Sequence, residues 1–317
     1  MMYKVSIIGA GNIAAFYDTP KSKDILTHSH AIVCSKKLDL VGVYDIENTK
    51  ALRASNMWGG QVFDTMDDAL ENADIICICV PDEGHYRVLK KCLNYGNLKA
   101  IIVEKPLVRT CYEACEISTL IKDCGIPIFL NYSRRYMKEF GDIKEWIKND
   151  AGDLLCGNCY YGKGTLHNAS HMIDVLEYFD GRVRVESAVF EIVDWINSDP
   201  SIEFVLLING ARVIFRPVDC NIATIFEFDL IFSNGRVKYS AEKSIIEYYK
   251  LDLSDKSGNE KQFKLMKTVS IDSSSAMNGL YSNLIEVLEK GGKPNCSFDE
   301  GIRVLRIVDE IYEHKRS

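Results

Sequence analysis

Three short stretches of this chain hold residue types whose spacing could do chemistry on a small molecule. Gly9-Ala-Gly11-Asn12-Ile13-Ala14 fits the pattern Gly-x-Gly-x-x-Gly/Ala. In that pattern the first glycine permits a tight turn, the second lets backbone approach a pyrophosphate, and the small last residue lets a helix pack closely on a sheet. N–H groups at the start of the following helix would face the phosphates. Further along, Glu104-Lys105-Pro106 sets a cation directly after an apolar run, and His167-Asn168-Ala-Ser-His171 spaces two imidazoles four residues apart. An ammonium beside a reacting hydroxyl stabilises the charge that develops on its oxygen. Imidazole titrates near neutral pH, which suits reversible proton transfer.

Metal chemistry has weaker support. Cys156-Gly-Asn-Cys159 is the only Cys-x-x-Cys, and a structural zinc site would want a second pair. His167 and His171 have no Glu after the first His and no evident third ligand, so no metal is expected. The eleven cysteines are odd in number and scattered from Cys34 to Cys296. They lack the density of a small secreted scaffold and read as thiols of a reduced, cytoplasmic protein. Cys77, Cys79, Cys92 and Cys220 sit in or beside apolar runs as small hydrophobes.

The elements that must position these residues follow two grammars. Over the first 130 residues, apolar runs at Val5–Gly9, Leu38–Tyr44, Ile75–Val80, Ala100–Val103 and Ile126–Leu130 alternate with helical patterns at Asp67–Glu71, His85–Leu93 and Cys111–Cys124. Alternation of this kind means βαβ units and a parallel sheet, and near-continuous apolar strands mean a sheet covered on both faces. Asp45 ends the second strand, where a carboxylate could bond the ribose hydroxyls of an adenosine. Phe16 to Leu26 reads as an inserted loop. Beyond Tyr132 one helix, His171–Phe179, precedes longer strands at Arg184–Trp195, Glu203–Ile208, Arg212–Arg216, Ile225–Phe232 and Arg236–Tyr239. Asn209-Gly210 and Asn234-Gly235 between apolar runs are hairpin signals, so these strands form an antiparallel sheet. The polar stretch 252–262 reads as a surface loop. Two helices end the chain, and Ser297 with Glu300 makes a capping box for the last.

The chain's 317 residues suit two domains. A composition 47% hydrophobic and 26% charged is that of a globular protein. The net charge of -7 offers no field for a polyanion, so nucleic acid is not an expected partner. No run reaches the ~18 apolar residues of a spanning helix, so no membrane is expected either. The N-terminus carries no secretory pattern.

Val80-Pro81-Asp-Glu-Gly-His85 closes the fourth strand and Glu104-Lys105-Pro106 the fifth, at the strand ends that face a nucleotide crevice. Together with Gly9–Ala14 and the β-rich second half, these segments resemble the Gfo/Idh/MocA oxidoreductases along nearly the whole chain. The resemblance implies an N-terminal Rossmann domain, 1–130, and an α+β domain, 131–317, built on a large, mostly antiparallel open sheet for substrate binding and oligomerisation. It implies an NAD(P)-dependent oxidoreductase acting on a hydroxyl or ketone of a sugar, nucleotide-linked sugar or cyclic polyol. Gly9, Gly11, Asn12, Ile13, Asp45, Val80, Pro81, His85, Glu104 and Lys105 would hold the cofactor. Asp45 would meet a 2′-phosphate as a like charge, so NAD is expected, with NADP as the alternative. By the same resemblance Lys105 contacts substrate and nicotinamide ribose, and His171 is the general base. Arg135, Tyr161 and Asn168 join Lys105 and His171 as pocket residues, with Arg134, Tyr160 and Lys163 near them. The position four before the catalytic His, often Asp in the family, is His167 here, which would share the proton-transfer role. A homodimer or homotetramer through the C-terminal sheet is implied. Two other readings stay open: a non-catalytic NAD-responsive regulatory protein, and a glycoside-cleaving enzyme that oxidises transiently.

Overall fold

The computed structural model describes residues 2–181, 183–252 and 261–316. In chain order the first elements are β1 (Tyr3–Ile8), α1 (His28–Cys34), β2 (Leu38–Tyr44), α2 (Asn48–Trp58), β3 (Gln61–Val62), α3 (Met66–Glu71), β4 (Ile75–Ile78), α4 (Asp82–Tyr95), β5 (Ala100–Val103), α5 (Cys111–Cys124) and β6 (Ile128–Leu130). The strands form one parallel sheet in the order β3-β2-β1-β4-β5-β6. That is the order of a dinucleotide-binding sheet, with its switch point between β1 and β4. Every side chain of β4 and β5 is buried, as strands covered on both faces require. Thr65 with Asp68 and Thr110 with Glu113 close reciprocal capping boxes that start α3 and α5.

After the glycine turn the chain forms an inserted loop, as expected from residues Phe16 to Leu26. Only one helical turn, Asn12–Phe16, follows Gly11, and α1 begins at His28. The intervening chain is polar and contains Pro20, so it cannot continue a helix. A buried carboxylate organises it instead. Asp18 accepts hydrogen bonds from the Leu26 N–H at 2.6 Å, from the Thr27 hydroxyl at 2.6 Å and from His30 Nδ1 at 2.8 Å.

The later elements are α6 (Lys138–Trp146), β7 (Leu154–Tyr161), α7 (Ser170–Asp180), β8 (Val183–Ile196), β9 (Asp199–Ile208), β10 (Ala211–Pro217), β11 (Glu227–Phe232), β12 (Gly235–Ser240), β13 (Ile245–Asp252), β14 (Gln262–Ser270), α8 (Ser275–Lys290) and α9 (Phe298–Arg316). Strands β7–β14 make an eight-stranded sheet in the order β14-β13-β12-β11-β7-β10-β9-β8, antiparallel except where β10 runs parallel to β7. Its buried face holds Tyr161, Phe204, Phe215, Phe228 and Tyr248. Phe204 and Phe215 stack with centroids 4.3 Å apart. Burying each such ring contributes roughly 1.5–3 kcal/mol.

The chain divides into two compact units, residues 1–137 with 273–303, and residues 138–272 with 304–317. The first unit thus runs past the expected boundary at residue 130 and takes back α8. Packing explains the return: Gly279 of α8 lies so close to Tyr136 that an added Cβ would fall 1.9 Å from its carbonyl oxygen. Strand β11 alternates in burial along its length. Phe228, Leu230 and Phe232 are buried on one face, whereas Glu227 and Asp229 take the other, where Arg236 bonds Asp229 at 2.8 Å. Exposed apolar residues lie on both edge strands, among them Val189, Phe190 and Trp195 of β8 and Leu265 and Met266 of β14, and also on the central β7 at Leu155 and Tyr160. Strands β13 and β14 bound the expected surface loop, most of which, 253–260, lies outside the described residues.

Candidate active site

The expected site residues fall into two sets, one in each unit. In the first unit Gly9 has φ +98°, and a Cβ there would strike the Cys79–Val80 peptide at 2.6 Å. Only glycine permits that turn. At Gly11 the nearest atom to an added Cβ is the Cys79 carbonyl oxygen, 4.0 Å away, which leaves room for a ligand. Asp45 is fixed by its neighbours, accepting the Ala10 N–H at 2.7 Å and the Glu47 N–H at 2.8 Å. Asp45, Gly9, Val80, Pro81, Lys50 and Arg87 line one cavity of about 490 Å³. A narrow glycine turn, a ribose-side carboxylate and a cavity at the switch point fit an adenosine dinucleotide. Asn12 and Ile13, exposed and half-buried, lie on the single turn that follows. His85 is 1% exposed, with its ring nitrogens 2.6 Å from the Pro106 carbonyl oxygen and 3.0 Å from that of Val80. It ties the segment after β4 to the segment after β5.

Glu104 and Lys105 follow β5, both half-buried, and the bond from Lys105 to Pro106 is cis. Three elements converge on Glu104. Its Oε1 lies 2.9 Å from His28 Nε2 and accepts the Asn131 amide at 2.6 Å, while His28 Nδ1 lies 2.9 Å from the Tyr281 hydroxyl. Burial alone would raise the Glu104 carboxyl, but bonding to His28, the His28 charge, Asn131 and the Lys105 charge outweigh it and hold it below the usual range. Burial would likewise depress His28, yet Cys77 and Glu104 beside it lift it to about 10. Cys77 falls as its partner rises, because burial is outweighed by a bond from Cys79 and by the His28 charge. Donor atoms of His28, Cys77 and Cys79 lie within 4.8 Å of one another, the one metal-like grouping among the described residues. Both His28 ring nitrogens there face protein partners.

Arg135 also belongs to the first unit, and it is 8% exposed. Burial would raise the nearby Glu300 carboxyl. The bonds from Ser297 and Arg303 and the Arg135 charge bring it down to about 2 instead. Arg135 therefore carries part of the electrostatics at the start of α9.

In the second unit, β7 is followed by Gly162-Lys163-Gly164, and a turn, Thr165–Ala169, leads into α7. The loop wraps two buried carboxylates. Asp194 accepts the Lys163 N–H at 2.8 Å and the Ser201 hydroxyl at 2.7 Å. Asp199 accepts the Leu166 N–H at 2.8 Å, the His167 N–H at 2.9 Å and the Tyr312 hydroxyl at 2.6 Å, and its Oδ2 lies 2.6 Å from His167 Nδ1. A Cβ at Gly164, where φ is +85°, would fall 2.1 Å from Asp199 Oδ2, so glycine is what lets the carboxylate in. Burial would raise Asp199, but bonds from His167, Tyr312 and the two amides overcome it and keep it low. His171, half-buried in the first turn of α7, stands edge-on to Phe226 with centroids 6.4 Å apart. The Asn168 amide donates to the Gly162 carbonyl at 2.7 Å. Tyr161, expected in the pocket, is fully buried in the sheet, where its hydroxyl donates to the Ile202 carbonyl at 2.5 Å. Cys156 is exposed and Cys159 buried, so this Cys-x-x-Cys points to opposite faces of β7.

A six-stranded parallel sheet with a glycine turn at its switch point, joined to a unit built on an open eight-stranded sheet, defines a two-unit dinucleotide-binding fold. Residues 3–132 match the family described as "Oxidoreductase family, NAD-binding Rossmann fold" (GFO_IDH_MocA). Residues 3–132 thus carry the NAD-binding Rossmann fold of that oxidoreductase family. Over 165 residues it is 26% identical to the glucose-6-phosphate 3-dehydrogenase of Bacillus subtilis, covering 52% of this chain and 43% of that relative. The alignments thus span less than half the length of the curated relatives. Among solved structures, the UDP-N-acetylglucosamine 3-dehydrogenase of Acidithiobacillus ferrooxidans superimposes with TM-score 0.77 at 14% identity, covering 99% of this chain and 98% of that one. The 3-ketoreductase KijD10 of Actinomadura kijaniata, in complex with NADP, gives TM-score 0.77 at 13% identity, covering 99% and 98%. At these identities the likeness is one of fold.

Two groups at these positions escape a reading of the sequence. His28 reaches Glu104 across 76 residues, and Asp199 meets His167 across 32. Neither lies in a motif. The one local signal near Asp199 is Gly164, a glycine between two polar residues where the chain had to admit a close neighbour.

Proposed function

We propose that this chain is an NAD-dependent dehydrogenase that oxidises a hydroxyl, or reduces the matching ketone, of a sugar, nucleotide-linked sugar or cyclic polyol. The observation that carries the reading is the Glu104–Lys105 segment at the end of β5, where a buried network of His28, Asn131 and Tyr281 holds an ionised carboxylate beside a lysine. The names of the relatives, a glucose-6-phosphate 3-dehydrogenase and a UDP-N-acetylglucosamine 3-dehydrogenase, support the substrate class. Bound NAD would supply the hydride acceptor or donor. Gly9 and Gly11 would admit its pyrophosphate and Asp45 its ribose. The charges of Glu104 and Lys105 interact, and the Lys105 ammonium would stabilise negative charge on the substrate oxygen. His171 takes the hydroxyl proton in oxidation and returns it in reduction. Asn168, Tyr160 and Lys163 are the polar groups of the second unit that would meet the sugar.

The same reading proposes a homo-oligomer assembled through the open sheet, whose edges carry Val189, Phe190, Trp195, Leu265 and Met266 exposed. It also proposes a reducing compartment, the cytoplasm, in keeping with the absence of a disulfide among the described residues. No helix among the described residues is long and apolar enough to cross a membrane. The direct test follows NADH formation with glucose 6-phosphate, inositols and nucleotide-linked sugars. A substrate-dependent rise is expected. Cofactor binding without turnover on any of them would favour a regulatory protein, and bond cleavage without net NADH would favour transient oxidation.

A further inference from the structure

Cys77 lies in β4 and Cys79 just beyond it, two residues on, so the pleat sends both sulfurs to one face of the parallel sheet. On that face they meet His28 of α1 and Tyr281 of α8. All four side chains are buried. The sulfurs lie 3.5 Å apart, and a His28 ring nitrogen stands within 4.8 Å of both. Two thiolates ~2.3 Å from one tetrahedral zinc are roughly 3.8 Å from each other, and roughly 3.5 Å from an imidazole nitrogen on the same ion. Three donors at these separations need only small shifts to meet one ion. The Cys-x-Cys spacing is shorter than that of common zinc motifs, so this grouping is visible in the fold and not in the sequence.

The setting of the ring is a second observation. His28 Nε2 lies 2.9 Å from Glu104 Oε1, and the same oxygen accepts the Asn131 amide at 2.6 Å. A carboxylate that takes the far N–H of an imidazole is the usual outer partner of a metal-bound histidine, because it fixes the ring and leaves the near nitrogen to ligate. That near nitrogen, Nδ1, faces the Tyr281 hydroxyl at 2.9 Å, and the hydroxyl in turn lies 3.9 Å from Cys77 Sγ. Nitrogen, sulfurs and phenol oxygen thus converge in the interior of one unit, where α1, β4 and α8 meet.

We propose that His28 Nδ1, Cys77 Sγ and Cys79 Sγ hold a structural zinc ion, with the Tyr281 oxygen in the fourth position and Glu104 as the outer partner of His28. Both thiols give up a proton to solvent as the ion binds. The ion ties α1, β4 and α8 together beneath the glycine turn, because the Cys79–Val80 peptide lies against Gly9. This inference stands apart from the dehydrogenase reading, since it needs neither cofactor nor substrate.

The test uses the full chain, produced in minimal medium supplemented with zinc or with cobalt(II) and purified under a phosphine reductant. Metal analysis after gel filtration should find one ion per chain. The cobalt form should show a thiolate-to-cobalt charge-transfer band and the visible bands of tetrahedral cobalt, and added zinc should erase both. In chelator competition, His28→Gln, Cys77→Ser and Cys79→Ser should each weaken binding by more than the roughly 10- to 100-fold that loss of an outer partner costs. The combined variant Cys34→Ser, Cys115→Ser, Cys156→Ser, which removes the exposed thiols, should bind as the wild type does. Should a core variant fail to fold, the wild type still decides: its urea midpoint should rise with free zinc and fall with EDTA, as for any ligand of the folded state. A chain purified without zinc, a cobalt form lacking the charge-transfer band, or a urea midpoint indifferent to zinc would overturn the proposal. So would a band that the surface variant loses, or one that Cys77→Ser and Cys79→Ser leave unchanged.

Discussion

Asp45 should make this chain prefer NAD over NADP, and its surroundings allow the preference to be sized. The carboxylate is pinned by the Ala10 and Glu47 amides at 2.7 and 2.8 Å, so it cannot swing away from an incoming 2′-phosphate. Two like unit charges about 4 Å apart repel by ~1 kcal/mol in water and by ~4 kcal/mol at an effective dielectric near 20. A phosphate monoester carries about -1.5 to -2 near neutral pH, which raises the penalty in proportion. Lys50 and Arg87 line the same cavity and offset part of it, although the Lys50 ammonium already bonds Glu47 at 2.6 Å. A net penalty of ~1.4 kcal/mol, inside that range, is tenfold in affinity. Fluorescence titration of NADH and NADPH at physiological ionic strength should therefore give NADPH about tenfold weaker. Asp45→Ser removes the charge but leaves an oxygen that can accept the Ala10 N–H, and the ratio should fall to within about threefold. NADPH binding as tightly as NADH to the wild type would refute the reasoning.

Other consequences can be read from stability and mass. Glu300 titrates near 2 in the fold against 4.5 for the ordinary group, and this gap is worth about 3 kcal/mol. A depressed carboxyl stabilises the fold above its ordinary value, so that share should be lost as pH falls from 4.5 toward 2. Denaturant midpoints should show Glu300→Gln weaker at pH 7 and flatter through that window. Gly164→Ala should cost more than Gly210→Ala, since both need a positive φ but only the former drives a Cβ against Asp199. The φ strain alone is worth about 1–3 kcal/mol, and equal losses in urea unfolding would remove the packing argument. Light scattering at micromolar concentration should give a multiple of the chain's mass, whereas a single-chain mass would contradict assembly through the sheet.

The parts of this fold legible in the sequence were those written in local pattern. Buried parallel strands announced themselves as short apolar runs, and Ser297 with Glu300 marked the start of the last helix. The turn at Asn209-Gly210 appears with both residues at positive φ, as that dipeptide implies. Elements with mixed burial were harder. β14 is an edge strand with most side chains exposed, so its Lys-rich sequence carries little alternation, and α2 buries only Ala51, Ala54 and Trp58. Within the candidate site, Gly9, Asp45 and Lys105 stand in motifs because backbone geometry near a nucleotide constrains residue type. The groups that tune them do not. His28, Asn131 and Tyr281 meet at Glu104, and Asp199 and Tyr312 at His167, only through tertiary packing over separations of up to 253 residues. Tyr161 shows the converse, since a polar side chain near a motif was drawn into the β-sheet core.

On the proposed reading, Lys105 and His171 each take part in the step in which NAD takes the hydride. The most direct measurement compares NADH formation by the wild type, Lys105→Ala and His171→Ala on the sugar or polyol that the screen identifies, with NADH affinity measured alongside. Both variants should bind NADH nearly as the wild type does and lose about 10²- to 10⁴-fold in turnover, the usual worth of positioned acid–base assistance. Turnover within a few-fold of wild type in either variant would contradict the account.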